Sequence, residues 1–355
     1  MPGLRAVAAR RRPARAGRAA RPALVVAAIA ASLIARAAGA EPASSMADGR
    51  TGRVEFRSLT PTGPTELVQR TAEGVVVVGD LVLPPGAAAR GPAMVIAHGS
   101  GGLLPGREDA WARRLHALGI ATFAVDSFGP RGIASTARDQ SRLSTMANLA
   151  DALSALRLLA THPRVDPARI GVIGFSRGGQ VALYSALEPL RRAVVDDGLR
   201  FAAHVALYPS CSIPYRAAQA TGAPILMLLG AADDYTPPRP CRDYADWFRQ
   251  RGAPVRVVEY AGAYHDFDIP EPPRFRPALQ SARACHAEVD VELGAVRRLD
   301  TGEALRGAEA SGFLRGCMQR GATMGGDAAA LAGAARDAAE FLSAAFGLAT
   351  AGAPR

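Results

Sequence analysis

The chain has 355 residues and a formal net charge of +10, with 42 Arg or Lys against 32 Asp or Glu. Eight of the positive charges, Arg5, Arg10, Arg11, Arg12, Arg15, Arg18, Arg21 and Arg36, stand in the first 40 residues, which hold no acid. The other 315 residues carry 34 basic and 32 acidic groups, so the charge gives no argument for a nucleic-acid partner.

That first stretch has the build of an export signal. Its arginines precede the apolar run ALVVAAIAASLIA (23–35), and Ala38-Gly39-Ala40 forms an A-x-A-like cleavage site before Glu41. Such a run falls short of the roughly 20 residues that cross a bilayer, and no other segment is long and apolar enough. The residues after the arginine pair lack the twin-arginine pattern, so the general secretory route is expected, with an uncleaved interfacial anchor as the alternative. A periplasmic or secreted protein follows. All four cysteines, Cys211, Cys241, Cys285 and Cys317, come after the leader. An even count in an exported chain predicts two disulfides, and no C-x-x-C spacing suggests a metal or redox site.

Residues 41–52 are small and polar and read as a flexible lead-in. VEFRSL (54–59) and GVVVVGDLVLP (74–84) read as strands, and PAMVIAHG (92–99) as a buried strand ending in glycines. REDAWARRLHALG has helical spacing through Trp111, Leu115 and Leu118, stopped by Gly119. IATFAVD returns to strand. Leu143, Met146, Leu149, Leu153, Leu156 and Leu159 recur at helical spacing and predict an amphipathic helix. RIGVIGF is a strand, 177–187 a helix, and AAHVALY and APILMLLG are further strands. A helix around Tyr244, Trp247 and Phe248 leads to the strand VRVVEY. Residues 270–325 have weak periodicity and read as a loop-rich or partly disordered excursion. The tail 327–348 is an amphipathic helix with Leu331, Ala335, Ala338, Phe341, Leu342 and Phe346 toward one side. Strands alternating with helices imply a mostly parallel sheet covered on both faces, in a single domain over 41–355.

Gly174-Phe175-Ser176-Arg177-Gly178 is a G-x-S-x-G pattern between a strand and a helix. A nucleophilic serine needs a strained strand-to-helix turn, which side chains at the flanking glycines would block. The amide of Arg177 would then sit at a helix N-terminus, where it can stabilise an oxyanion. Chain order in this architecture is Ser, acid, His. GAADDYTPP follows a strand and offers Asp233 or Asp234, and YAGAYHDFD follows the next and offers His265. An imidazole can take the serine proton while a carboxylate fixes its tautomer. A second oxyanion donor should follow an early strand. His98-Gly99-Ser100-Gly101-Gly102 does so, giving the amide of Ser100, or failing that of Gly101. His98 itself reads as a structural hydrogen-bonder.

With these residues in place, the chain resembles the dienelactone hydrolase family of the α/β-hydrolase superfamily over about residues 75–270 and the final helix. The resemblance rests on MVIAHGSGG, VDSFGPRG, IGVIGFSRGG, LGAADDYTPP and YHDF. It implies Asp233 rather than Asp234 as the acid, three residues after Gly230 and four before Pro237, and His265 as the base. The founding members use a cysteine nucleophile and carry a glutamate near the first oxyanion loop. Here a serine stands in the elbow and no acid stands at His98-Gly99, which points to a serine esterase triad and away from dienelactone as substrate. Arg131 and Arg177 are candidate contacts for an anionic substrate group. The cysteine-bearing excursion lies outside the family core and resembles that of exported members.

The expectation is an exported serine hydrolase acting on a small-molecule ester or lactone, in an α/β-hydrolase fold with a disulfide-tied insertion before the C-terminal helix. Ser176, Asp233 and His265 would be its triad, and the amides of Ser100 and Arg177 its oxyanion hole. No metal or organic cofactor is expected. Cys211 and Cys241 both lie just beyond strand ends on the catalytic face and are expected to pair, leaving Cys285–Cys317 within the excursion. The competing readings are a serine peptidase with the same triad and a binding protein that kept the fold without catalysis.

Overall fold

Short apolar runs become neighbouring strands of one eight-stranded sheet. Five pairings in it are parallel: β3 (Gly91–Ala97) with β4 (Ala121–Asp126) and with β5 (Val165–Phe175), then β5–β6 (His204–Leu207), β6–β8 (Ile225–Gly230) and β8–β9 (Val255–Tyr260). At one edge β1 (Gly52–Leu59) and β2 (Gly74–Val82) form an antiparallel pair around the short helix α1 (Pro64–Val68), and β2 runs antiparallel to β4. The strand order is β1-β2-β4-β3-β5-β6-β8-β9. This is an α/β-hydrolase fold. The computed structural model describes residues 41–86, 90–195 and 198–348; the expected export signal (1–40) lies outside them. A compact unit begins at Pro42.

Alternation along the strands builds two apolar layers. Val95, Val172 and Ala206 face one side, where they meet Leu149 and Leu153 of α3 (Thr145–Leu159), Val181 of α4 (Arg177–Tyr184), Leu190 of α5 (Glu188–Val194) and Phe248 of α6 (Pro238–Arg249). Ile96, Ile173 and Val205 face the other, against Trp111 of α2 (Glu108–Ala117) and Leu342 of the last helix (Ala328–Phe346). Both faces of the sheet are dry, which is why its central strands read as unbroken apolar runs. No helix among the described residues is long and apolar enough to cross a membrane.

Four expectations need correction. The lead-in is packed: Met46 is fully buried, its amide donates to Thr161 Oγ1 (2.8 Å), and Ala43 bridges to Phe56. Helix α3 is not amphipathic, since 13 of its 15 residues are buried between the sheet and neighbouring helices, Asn148, Asp151 and Ser154 among them. The last helix buries Ala330, Ala334, Ala338, Leu342 and Phe346, while Leu331 and Phe341 pack only partly.

The excursion, finally, is ordered. Strand β10 (Arg274–Ser281) pairs antiparallel with β14 (Gln319–Met324). Strands β11 (Ala287–Asp290), β12 (Ala295–Arg298) and β13 (Ala304–Leu305) form a second small sheet with β7 (Tyr215–Arg216), in the order β13-β12-β11-β7, beside helix α7 (Gly307–Cys317). The last helix is accordingly α8. Ala287, Val289, Val296, Leu305 and Ala310 form the excursion's own small core. Both expected disulfides are present: Cys211–Cys241 with Cα atoms 5.0 Å apart and Cys285–Cys317 with 5.1 Å.

Candidate active site

Strand β5 ends at Phe175 and α4 begins at Arg177, leaving Ser176 alone at the turn with φ 53° and ψ −109°. Only strong local constraint holds a non-glycine residue there. The constraint is close packing: a Cβ on Gly174 would lie 2.0 Å from Gly178 O, and one on Gly178 1.9 Å from Ala97 O. The turn therefore needs glycine on both sides of the serine. Ser176 N donates to Leu207 O (2.9 Å), pinning the elbow to β6.

The loops after β8 and β9 bring the other two residues to it. Ser176 Oγ lies 2.9 Å from His265 Nε2, and His265 Nδ1 lies 2.7 Å from Asp233 Oδ2. All three side chains are buried. Asp233 Oδ1 accepts from the amides of Tyr235 and Thr236 (both 2.8 Å), and Oδ2 from Thr236 Oγ1 (2.8 Å), so its orientation is fixed before substrate arrives. The rings of Tyr208 and Tyr235 meet the imidazole edge-on, with centroids 4.8 and 4.7 Å away. Burial alone would push the His265 pKa down. The charge and hydrogen bond of Asp233, helped by Asp266, outweigh it, and the net direction is upward.

Ser100 follows β3 in a turn closed by the Gly102 amide on Gly99 O (3.1 Å). The main-chain N–H groups of Ser100 and Arg177 donate to no acceptor among the described residues. Arg177 opens α4, whose first amides have no partner within the helix. His98 is structural, as expected: Nε2 accepts from Ser127 N (3.2 Å), which leaves the proton on Nδ1 for Gly99 O (2.8 Å), and burial lowers its pKa to about 4.

A buried polar cluster that the sequence did not reveal lies beside the histidine. Arg107 donates to Glu108 Oε1 (2.6 Å) and Asp266 Oδ1 (3.4 Å), and its guanidinium lies 4.8 Å from the Phe175 ring centroid. Asp266 Oδ1 stands 3.9 Å from His265 Nε2, and Asp268 accepts from Tyr208 Oη (2.5 Å) and Trp111 Nε1 (2.7 Å). The stretch HDFD was the only hint in the sequence.

Arg131 is not where an anionic substrate would need it. Its guanidinium is bonded to both oxygens of the fully buried Asp151 (2.7 and 3.0 Å), to Ser127 O (2.7 Å) and to Leu59 O (3.0 Å). With those donors used inside the protein, Arg131 belongs to the scaffold, against the expectation. The side chain of Arg177 is also buried, bonded to Leu143 O (2.8 Å) and to the main-chain (2.9 Å) and side-chain (2.6 Å) oxygens of Gln140. Desolvation draws its pKa down to about 10, and no carboxylate among the described residues pairs with it.

A cleft of about 860 Å³ opens above Ser176, and Ser100 and Arg177 line it too. One wall comes from the excursion, through Val289, Leu314 and Met318; Tyr184, Ile213 and Tyr215 also line the cleft. Among the described residues there is no cluster of three or more His, Cys, Asp or Glu that could hold a metal ion. The arrangement can carry a proton from a hydroxyl to an imidazole and offer two amides to a developing negative oxygen.

Residues 78–291, more than half of the chain, match the family model described as "Dienelactone hydrolase family". A non-reducing polyketide synthase of Emericella nidulans is 26% identical over 149 residues, 41% of this chain and 6% of that protein. An uncharacterized protein of Mycobacterium tuberculosis is 28% identical over 206 residues, 51% of this chain and 65% of that protein. The chain thus spans less than two thirds of each of these relatives. Among solved structures, a dienelactone hydrolase-like promiscuous phosphotriesterase from metagenomic libraries aligns with a TM-score of 0.48 at 18% identity, over 83% of this chain and 99% of that one. A thermophilic esterase of Thermogutta terrifontis aligns with a TM-score of 0.44 at 20% identity, over 54% and 81%.

Proposed function

The chain belongs to the dienelactone hydrolase family, and on that premise we propose that it is an exported serine hydrolase that cleaves a small-molecule carboxylic ester or lactone through an acyl-enzyme. The observation that carries this reading is the unbroken chain from Ser176 Oγ to His265 to Asp233, at 2.9 and 2.7 Å.

In the proposed reaction Ser176 Oγ attacks the ester carbonyl as its proton passes to His265 Nε2. The Asp233 carboxylate holds the Nδ1 proton and stabilises the imidazolium. The carbonyl oxygen, now negative, takes up hydrogen bonds from the amides of Ser100 and Arg177. Collapse of the tetrahedral intermediate breaks the ester C–O bond, and the imidazolium gives its proton to the departing alkoxide. Water, deprotonated by His265, then attacks the acyl carbon, and Ser176 leaves with the proton returned. A lactone substrate opens by the same steps, its alkoxide staying tethered to the acyl group.

Two disulfides support an oxidising compartment and therefore export. The test uses protein expressed from the full chain, assayed on short-chain aryl esters, lactones and peptide anilides, with Ser176→Ala beside it. Ester or lactone turnover that disappears in Ser176→Ala, with a fluorophosphonate adduct mapped to Ser176, is the expected result. Turnover that survives the substitution overturns the nucleophile, and turnover of anilides alone makes the protein a peptidase. Fractionation with N-terminal sequencing tests export, the expected mature start being Glu41.

A further inference from the structure

We infer that Gln140 is the positioning residue that holds the two oxyanion donors in register. The inference rests on the serine-hydrolase reading above. Its ground is a convergence of bonds on one side chain. Gln140 begins the 3-10 turn Gln140–Arg142 and lines the cleft, half-buried. Its Oε1 accepts from Ser100 Oγ (3.0 Å) and from Arg177 Nη2 (2.6 Å). Both residues have a main-chain amide that donates to no acceptor among the described residues, and both line the cleft with Ser176. They are 77 positions apart in the chain, one in the turn after β3 and the other at the start of α4; their side chains end on the same atom.

The rest of Gln140 fixes that atom. Its main-chain oxygen also accepts from Arg177 Nη2 (2.9 Å) and its amide donates to Gln280 Oε1 (2.7 Å). Its Nε2 donates to the Tyr235 hydroxyl (3.2 Å), whose ring packs on His265. The loop after β3, the elbow after β5 and the acid loop after β8 thus meet at its side-chain amide, and the excursion holds its main chain. An amide is suited to this, because its oxygen accepts two bonds while its NH2 donates a third. The bond from Arg177 is charge-assisted, and no carboxylate among the described residues competes for that guanidinium. An oxyanion hole works through donors already in place when charge develops, so loosening the tie should weaken the transition state and leave ground-state binding alone.

Gln140→Leu removes every side-chain bond at similar volume. The expected result is a kcat lower by about 10- to 100-fold, the scale of a small misplacement of catalytic groups, with KM within about threefold. Affinity for a trifluoromethyl ketone, which forms an oxyanion on Ser176, should fall by the same factor as kcat/KM. Gln140→Glu keeps acceptor oxygens for Ser100 and Arg177 and should restore most of the loss. Ser100→Ala, which cuts one tie and leaves the amide, serves should Gln140→Leu fail to fold; its kcat should fall by about three- to tenfold with KM held. The inference is overturned by Gln140→Leu within about threefold of wild type in kcat, by a loss confined to KM, by undiminished ketone affinity, by Gln140→Glu no better than Leu, or by an unaltered Ser100→Ala. A wild-type protein that neither hydrolyses esters nor binds the ketone instead overturns the serine-hydrolase reading itself.

Discussion

Asp233 and His265 are joined by a 2.7 Å bond at which neither side chain is open to solvent. Burial acts to lower the imidazole pKa, and the carboxylate, by charge and hydrogen bond, reverses that and raises it. Because folding raises the pKa, the protonated ring stabilises the fold below the ordinary imidazole range, and this contribution fades as pH climbs through the folded value. The proposed reaction needs the neutral ring. Ester kcat/KM should therefore rise with pH through an apparent pKa above the ordinary imidazole value. Asp233→Asn should lower kcat by on the order of 10³ to 10⁴ and move the pKa of the residual activity downward, since burial then dominates. A pH–rate profile unmoved by the substitution would refute the assignment.

Ser176 holds a strained conformation, and the proposed attack on a carbonyl would use it. Ser176→Gly removes the side chain from a conformation that only glycine adopts without strain, and should abolish turnover, by on the order of 10⁴ or more, while raising stability by about 1 kcal/mol. Gly178→Ala makes the opposite case, because its Cβ would collide with the Ala97 carbonyl at 1.9 Å. It should fail to fold. Thermal melts of the two variants decide the matter, and a melting temperature lowered in Ser176→Gly would count against the strain.

Arg131 and Asp151 form a pair with almost no solvent access. Arg131→Met would leave a carboxylate in the core without its cation, a loss of about 3–5 kcal/mol. The Asp151 carboxyl already has a raised pKa, from burial that the Arg131 bonds only partly offset. Denaturant titration should show the loss, while KM of the folded enzyme stays within about threefold for neutral and anionic esters alike. A selective rise in KM for anionic esters with intact stability would return Arg131 to the substrate site.

The Cys285–Cys317 bond closes a loop with a sequence separation of 32, worth about 3–4 kcal/mol to the chain it constrains in the loop-entropy view. It ties α7, which supplies Leu314 to the cleft wall. Replacing both cysteines with serine should expose the stretch between them to limited proteolysis and raise KM severalfold for bulky esters. Turnover of the smallest aryl ester should be kept. Equal loss for all substrates would mean that the bond supports the triad and not the wall.

The sheet and the meeting of Ser176, His265 and Asp233 were legible in the sequence because each has a local signature. Central strands buried on both faces read as runs such as AMVIA and IGVIGF, and the elbow needs glycines at fixed offsets. The excursion lacked one. Its strands β11, β12 and β13 are four, four and two residues long, and their meaning appears only when β7, some 70 residues earlier, pairs with β11. Arg131 was misassigned for a related reason. Its chemistry is the same whether it meets a substrate or a core carboxylate, and Asp151 is concealed inside α3, where helical spacing of leucines suggested one dry face only. Gln140 belongs to no motif at all; its role arises from four loops that only the fold brings together.

The excursion has a second consequence through its last strand. Met324 bridges to His265, and the next residue, Gly325, donates its amide to the His265 carbonyl (2.8 Å). The histidine is thus clamped between β9, which precedes it, and a strand some 60 residues downstream. Fluctuations that peel β14 away would carry the imidazole off Ser176 as well, so the wall and the base open as one cooperative unit and not as two. In amide hydrogen exchange, Gly325 and the β14 ladder should share a single opening free energy below that of the sheet. Ser176, at the end of β5, should keep the protection of the core, so that the proposed nucleophile and base would be held by parts of the protein with different opening free energies.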